Sequence, residues 1–231
     1  MEILLLSNST SDNGFLVDWI DLLRDFTAGC RNALFVPYAS VTHSWESYEA
    51  RVVDALAPID IAITSIHRAS DAQKAVLHAE SIIVGGGNTF HLLHHCRKGS
   101  LLKTIAQRVR AGMRYVGWSA GANIACPTIR TTNDMPVIDP GGFEALDLVP
   151  FQINPHFTDE IPAGHRGETR SERLNEFVAL NQDVSVLALP EGCYVRASGD
   201  TLRYGGIREA KWMRHGYEPV AVTSGPLVIP A

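Results

Sequence analysis

The chain has 231 residues, 45% of them hydrophobic and 19% charged, with a formal net charge of −5. That length and composition support a sizeable core without metal or disulfide staples. The acidic balance, with no basic block, argues against sequence-independent nucleic-acid binding, and no apolar run approaches the about 20 residues of a membrane span.

Taken in chain order, short apolar runs alternate with amphipathic stretches. Ile3–Leu6 opens the chain, preceded by Glu2 and followed by polar Ser7–Asp12, which is too short and wrongly flanked for a signal peptide. It reads instead as a buried strand, as do Ala33–Val36, Ile59–Thr64, Ser81–Val84 and Arg114–Val116. Between them, Phe15, Trp19, Leu22, Leu23 and Phe26 recur at helical spacing, with Asp18, Asp21, Arg24 and Asp25 on the other face. Leu101, Leu102, Ile105 and Val109 repeat the pattern. Strand alternating with helix predicts an α/β fold, a doubly wound and mostly parallel sheet with right-handed crossovers, its chemistry at the C-terminal strand ends. From about Val184 the texture changes to strands joined by short turns: Val184–Leu189, Cys193–Ala197, Thr201–Tyr204 and Val220–Thr223. These are expected to form antiparallel C-terminal edge strands of the same sheet, so that residues 1–231 make one α/β domain. Cys30, Cys96, Cys126 and Cys193 include no Cys-x-x-Cys pair, which predicts reduced thiols in a cytoplasmic protein.

The sharpest motif is Gly117-Trp118-Ser119-Ala120-Gly121, between the strand Arg114–Val116 and the helix-like Ala122–Ala125. A strand-to-helix reversal this tight needs small neighbours and lifts the Ser119 hydroxyl above the sheet edge, the arrangement of a nucleophile elbow. It also leaves the Ala120 N–H at a helix start, free to hold an oxyanion. A plain Gly/Ser turn packing a helix onto the sheet is the competing reading. A second loop, Gly85-Gly86-Gly87-Asn88-Thr89-Phe90, follows the strand Ser81–Val84. Consecutive glycines let the N–H groups of Gly86 and Gly87 converge on an anion, although a tight turn explains them equally well. Neither Walker nor Gly-x-Gly-x-x-Gly spacing is present. Asn88 or Thr89 is placed to cap the helix that follows.

A nucleophilic serine needs a base, and nine histidines compete. His91, His94 and His95 share one helix and read as a packed or solvated face; two of them have zinc spacing, but a third ligand is not evident. His43, His67, His78, His165 and His215 have no distinctive context. His156 follows Phe151-Gln152-Ile153-Asn154-Pro155, an apolar strand end closed by proline, where site loops belong. Two carboxylates are candidates to orient it: Glu191 in Leu189-Pro190-Glu191-Gly192, and Asp134 in Thr131-Thr132-Asn133-Asp134-Met135. Glu191 is preferred because a strand-end carboxylate is better fixed; Asp134 can serve instead to organise its own loop. The order Ser119, His156, Glu191 differs from the serine–acid–histidine order of α/β-hydrolases.

In combination these segments resemble peptidase family S51, the α-aspartyl dipeptidases of the dipeptidase E type. The resemblance is carried by Leu4–Thr10, Gly85–Phe90, Gly117–Asn123, Cys126–Pro136, Ile153–Phe157, Gly167–Arg170 and Leu189–Gly192, and weakens after about Ala197. It implies a fold related to class I glutamine amidotransferases and metal-free hydrolysis of dipeptides with an N-terminal aspartate. It places the nucleophile on Ser119, the base on His156, and the third member on Glu191 or Asp134. Selectivity for aspartate calls for a cation, and Arg170 is the candidate: Thr169-x-x-Glu172 reads as a capping box that sets Arg170 in the first turn of a helix. Asn88 and Thr89 are counted with it as substrate-binding residues. No cofactor is expected. The expected partner is a small Asp-Xaa peptide, with neither nucleic acid nor membrane; a homodimer is left open. Isoaspartyl or cyanophycin-type substrates, a glutamine amidotransferase subunit (discounted because position 119 is serine) and a non-catalytic binding protein are the alternatives.

Overall fold

A computed structural model describes residues 1–161, 164 and 166–230. Its strands are β1 (Glu2–Leu6), β2 (Thr10–Ser11), β3 (Gly14–Phe15), β4 (Asn32–Val36), β5 (Ala62–Ser65), β6 (Ser81–Val84), β7 (Arg114–Trp118), β8 (Gln152–Phe157), β9 (Val186–Pro190), β10 (Cys193–Ser198), β11 (Thr201–Gly206), β12 (Ala210–Met213), β13 (Val220–Val222) and β14 (Gly225–Pro226). The helices are α1 (Ile20–Thr27), α2 (Trp45–Leu56), α3 (Ala72–His78), α4 (Thr89–Lys98), α5 (Leu101–Arg110), α6 (Ala120–Asn123) and α7 (Arg170–Leu180).

The main sheet runs β14-β11-β10-β1-β7-β6-β4-β5. Its β1, β7, β6, β4 and β5 pair in parallel, as expected of buried β-branched and leucine-rich runs joined by helices. One face is covered by α1, by Trp19 in the turn that leads into it and by α2, through Trp19, Leu23, Phe26, Val52 and Leu56 against Leu4, Leu6 and Trp118. The other face is covered by α4 and α5, through Leu92, Leu93, Ile105 and Val109 against Ile3, Leu5 and Ile82. The third expected strand begins later than the sequence pattern suggested. Ile59 is buried before the strand starts, in a turn where its N–H donates to Leu56 O, and β5 spans Ala62–Ser65.

The C-terminal strands divide between two sheets. β10, β11 and β14 extend the main sheet antiparallel from β1, as the edge reading anticipated. The runs around Val186 and Val220 do not join them. β9 pairs parallel with β8, and with β12 and β13 they form a second sheet of order β13-β12-β9-β8. The reason lies in burial. Every residue of β9 is buried, with Leu187 and Leu189 in the main core and Val186 and Ala188 against Phe157, Leu174 and Val178. A strand buried on both faces suits an interior position and not a solvated edge. The β8–β9 register sets Pro155 beside Leu189 and Phe157 beside Pro190, with a bulge between Pro155 and Phe157. The strand ends bearing His156 and Glu191 therefore leave the sheet side by side.

Among the described residues, no helix is long and apolar enough to cross a membrane. All four cysteines are free, and burial pushes the Cys96 and Cys126 thiols up to about 12.

Candidate active site

Ser119 sits between β7 and α6 with φ 53° and ψ −113°, a backbone conformation that a side-chain-bearing residue adopts only when its surroundings force it. The force comes from close packing. A Cβ on Gly121 would lie 2.1 Å from the Val84 carbonyl oxygen, so α6 presses backbone to backbone on β6. The buried Tyr115 hydroxyl donates to Gly121 O at 2.6 Å and fixes the same turn. The Ser119 N–H is itself paired to Leu6 O at 3.0 Å, across the sheet.

His156 occupies the β8 bulge, also at positive φ, 55°. Its Nε2 lies 2.7 Å from Ser119 Oγ and its Nδ1 lies 2.6 Å from Glu191 Oε1. A hydrogen-bonded line from hydroxyl through imidazole to carboxylate results. The His156 side chain is 34% exposed and that of Glu191 is 55% exposed, so the relay opens to solvent at its acidic end. Two residues that the spacing arguments did not single out hold this geometry. The fully buried Ser7 accepts from the His156 N–H at 2.8 Å and donates to Leu189 O at 2.8 Å. Asn8 Oδ1 accepts from the Gly192 N–H at 2.9 Å. Both follow β1 directly, and a polar Ser-Asn pair ending an otherwise apolar strand was the available signal.

Asp134 does not reach His156. Its Oδ2 accepts from the Thr89 N–H at 2.7 Å, from Thr89 Oγ1 at 2.6 Å and from Thr132 Oγ1 at 2.9 Å. It thus anchors its own loop to the first residue of α4, the organising role weighed as its alternative. Thr89 is buried with its hydroxyl committed to Asp134, so it offers the Ser119 cleft no free group. Asn88 lines the cleft, but its side chain is the N-cap of α4: Oδ1 accepts from the His91 N–H at 3.0 Å, while Nδ2 donates to Met135 O at 2.8 Å.

In the glycine loop, Gly87 has φ 136°, and a Cβ there would lie 2.3 Å from Ala39 O. Among the described residues, the Gly87 and Ala120 N–H groups make no turn or loop bond to a backbone carbonyl. The Tyr48 hydroxyl packs against the glycine loop, 2.8 Å from where a Cβ on Gly85 would lie, and burial raises its pKa to about 12. That hydroxyl also accepts from the Trp118 indole N–H at 3.0 Å, so Tyr48 ties α2 to both the glycine loop and the residue before Ser119.

The capping box is present: Thr169 accepts from the Glu172 N–H, and the Glu172 carboxylate accepts from the Thr169 N–H. Arg170 starts α7 as expected, yet its guanidinium turns to the back of the catalytic strand. Nη1 donates to His156 O at 2.6 Å, with a longer contact to Pro155 O at 3.4 Å. Burial, and next Arg173, lower its pKa, while Glu191 opposes them. It lines a small pocket of about 110 Å³ with Asn133 and Asn154, separate from the cleft that holds Ser119. The structure therefore brings Ser119, His156 and Glu191 together, sets Gly87 and Ala120 beside them, and leaves Asp134, Thr89 and Arg170 outside the cleft.

The cleft itself encloses about 520 Å³ and is lined by Ser119, His156, Gly86, Gly87 and Asn88, by Phe15, Tyr48 and Arg51, and by the hydroxyl-rich segment after β4. His43, without context in the sequence, lies on its wall. His91 and His95 form a packed helix face: His91 Nδ1 meets Tyr38 O at 2.6 Å and the two Nε2 atoms are 3.2 Å apart. Among the described residues no group of three or more His, Cys, Asp or Glu side chains is arranged to hold a metal ion. His165 lies outside the described residues.

A serine in a strained strand-to-helix turn, hydrogen-bonded to an imidazole that is in turn held by a carboxylate, is the equipment of a hydrolase of the nucleophilic type. The sequence model of peptidase family S51 matches residues 3–205. Peptidase E of Salmonella paratyphi A is 48% identical over 226 residues, covering 97% of this chain and 99% of that one. Peptidase E of Salmonella typhimurium LT2 is likewise 48% identical over 226 residues. The chain belongs to peptidase family S51 and is a peptidase, a hydrolase. Among solved structures, a putative peptidase E from Listeria monocytogenes superposes with a TM-score of 0.67 at 21% identity, covering 90% of this chain and 98% of that one. A peptidase from an acI-B1 actinobacterium gives 0.72 at 15% identity, covering 99% and 96%. At such identities the two structures speak for the fold alone.

Proposed function

We propose that the chain is a serine-type dipeptidase that hydrolyses Asp-Xaa dipeptides through an acyl-enzyme on Ser119. The observation that carries this reading is the relay from Ser119 Oγ to His156 Nε2 at 2.7 Å and from His156 Nδ1 to Glu191 Oε1 at 2.6 Å. Ser119 attacks the peptide carbonyl as His156 takes its proton, and Glu191 stabilises the imidazolium. The N–H groups of Ala120 and Gly87 hold the oxyanion, each worth about 3–4 kcal/mol in sites of this kind. His156 then protonates the departing amine and activates the water that cleaves the ester. A cleft of about 520 Å³ suits a ligand of dipeptide size, within the about 300–1,000 Å³ usual for small-molecule sites. Aspartate selectivity is proposed from family membership together with the cationic lining of the cleft.

The test is hydrolysis of Asp-Leu, isoAsp-Leu and Ala-Leu by wild type and by Ser119→Ala, with a fluorophosphonate probe to report the nucleophile. Wild type is expected to prefer Asp-Leu and to be labelled, and Ser119→Ala to lose at least about 10⁴-fold in kcat and all labelling. An unlabelled wild type, or a Ser119→Ala protein that still turns over, would defeat the serine mechanism. Preference for isoAsp-Leu would move the substrate class to β-linked peptides.

A further inference from the structure

We infer that Arg51 is the residue that reads the substrate's β-carboxylate, the function assigned to Arg170 on sequence grounds; this rests on the dipeptidase reading above. Among the described residues lining the Ser119 cleft, Arg51 is the one guanidinium or ammonium group, and no Asp or Glu lines it. Such a lining leaves a fixed positive charge in the cleft that holds Ser119, with no carboxylate among the described lining residues to neutralise it. No ion pair engages Arg51 among the described residues. The acidic neighbours on its own helix are turned elsewhere: Glu49 binds Arg68 Nε at 2.5 Å and the Ser65 N–H at 3.1 Å, and Glu46 approaches His67 at 3.5 Å.

The guanidinium is nevertheless held in place. It lies over the Phe15 ring at 4.0 Å. Phe15 packs edge-on against Trp118 at 6.2 Å and tilted against Tyr48 at 6.4 Å, and Tyr48 is about one helical turn before Arg51. Through the bond from the Trp118 indole to the Tyr48 hydroxyl, the helix that carries Arg51 is registered to the residue preceding Ser119. An arginine stacked on an aromatic face keeps its N–H edge open for bidentate contact with a carboxylate. Arg170 lacks that freedom, because its guanidinium is spent on the carbonyls behind His156.

The side of the sheet decides which of the substrate's two carboxylates Arg51 meets. β8, which carries His156, packs with Ile153 in the same core as Leu187 and Leu189, whereas α2 packs with Val52 and Leu56 against the opposite face of the main sheet. The leaving amine must lie beside His156, which protonates it, and the C-terminal carboxylate goes with that half. The side chain of the acylating aspartate is left to the Arg51 side.

The experiment compares Asp-Leu, Asn-Leu and Asp-Leu-amide with wild type, Arg51→Gln and Arg51→Lys. Arg51→Gln is expected to lower kcat/KM for Asp-Leu about 10- to 100-fold while changing Asn-Leu by less than about threefold, with Arg51→Lys recovering part of the loss. Labelling of Ser119 by a neutral fluorophosphonate should be unchanged in both variants, which excludes misfolding. Equal losses on Asp-Leu and Asn-Leu with Asp-Leu-amide spared would assign Arg51 to the C-terminal carboxylate and overturn the inference. An unchanged Asp-Leu to Asn-Leu ratio overturns it as well. If wild type itself fails on Asp-Leu, the dipeptidase reading falls and this inference with it; wild-type activity with an unaltered ratio sinks the Arg51 assignment alone.

Discussion

Replacing Glu191 with glutamine tests how much the third member of the relay contributes. Glutamine keeps the length and an acceptor oxygen for the His156 Nδ1–H, so the ring stays oriented, and only the negative charge is lost. With charge centres about 4 Å apart, that charge stabilises the imidazolium by about 1 kcal/mol at the dielectric of water and by about 4 kcal/mol at an effective value of 20. Glu191 is 55% exposed and His156 34% exposed, so water screens the pair and the effective figure lies between the limits, at about 1.5–3 kcal/mol. That corresponds to a fall in kcat of about 10- to 150-fold. It is far short of the about 10⁴-fold loss when a buried triad aspartate is converted to its amide. Steady-state hydrolysis of Asp-Leu gives kcat and KM separately, and KM is expected to hold because Glu191 does not line the cleft. Raising ionic strength should narrow the gap between wild type and Glu191→Gln, since an exposed pair is the kind that salt screens. A kcat within twofold of wild type would refute the assignment of Glu191 as the orienting acid. A 10⁴-fold loss would refute the claim that solvent moderates it.

Two further changes separate catalysis from support. Asp134→Asn removes the charge that accepts from the Thr89 N–H, Thr89 Oγ1 and Thr132 Oγ1, so it should lower the thermal midpoint and disturb the adjacent Gly87 donor; circular dichroism melts together with kcat check this, and an unchanged melting midpoint would count against the anchoring role. His95 is held down to about 4, first by burial and then by His91, His94 and Lys98, so below pH 6.5 the unfolded chain takes up a proton that the folded chain refuses. Stability is complete above pH 6.5 and falls as pH drops towards 4, by about 1–2 kcal/mol once the ring's partial solvent access is discounted from about 1.4 kcal/mol per pKa unit. Urea midpoints of wild type and His95→Gln between pH 7 and pH 4.5 should converge as the pH falls; parallel curves would exclude this group as the cause.

The parts of the site that were legible are those in which local backbone demands restrict the choice of residue. The elbow around Ser119 needs Gly121 because no Cβ fits against Val84 O, and that need is written into the pentapeptide. The caps of α4 and α7 are local too: Asn88 reaches the His91 N–H and Thr169 reaches the Glu172 N–H, each three residues on. The strand–helix alternation of the first half likewise announced its parallel sheet. Contacts distant in sequence were not legible. Ser7 meets His156 across 149 positions, and no periodicity encodes that pairing. Whether β9 joins the main sheet or pairs with β8 depends on both faces being buried, and an apolar run of five residues is compatible with either. Arg170 and Arg51 show the same limit for side chains. The capping box marked the helix that carries Arg170, the helix that carries Arg51 was not read from the pattern, and in both the direction of the guanidinium is decided by what packs beneath it.

The relay is assembled before any substrate arrives, and the strain at two of its three members explains how. Ser119 and His156 both hold positive φ, and such conformations cost on the order of 1–3 kcal/mol each. An isolated loop would relax. Here Ser119 is flanked by β7 and by a helix pressed onto Val84, while its N–H is bonded to Leu6 O. His156 is held at its N–H by Ser7 and at its carbonyl by Arg170. Both main-chain groups of the strained histidine are thus satisfied by residues from outside its strand. Relaxing its φ would leave the hydroxyl of the fully buried Ser7 without the N–H it accepts from, and the loss of a buried hydrogen bond of that kind costs about 1–3 kcal/mol. That penalty is of the same order as the strain, so the bent conformation persists and keeps Nε2 at 2.7 Å from Ser119 Oγ. Arg170, bonded to the His156 carbonyl at 2.6 Å and lining a pocket apart from the Ser119 cleft, is placed to hold the imidazole-bearing strand from behind.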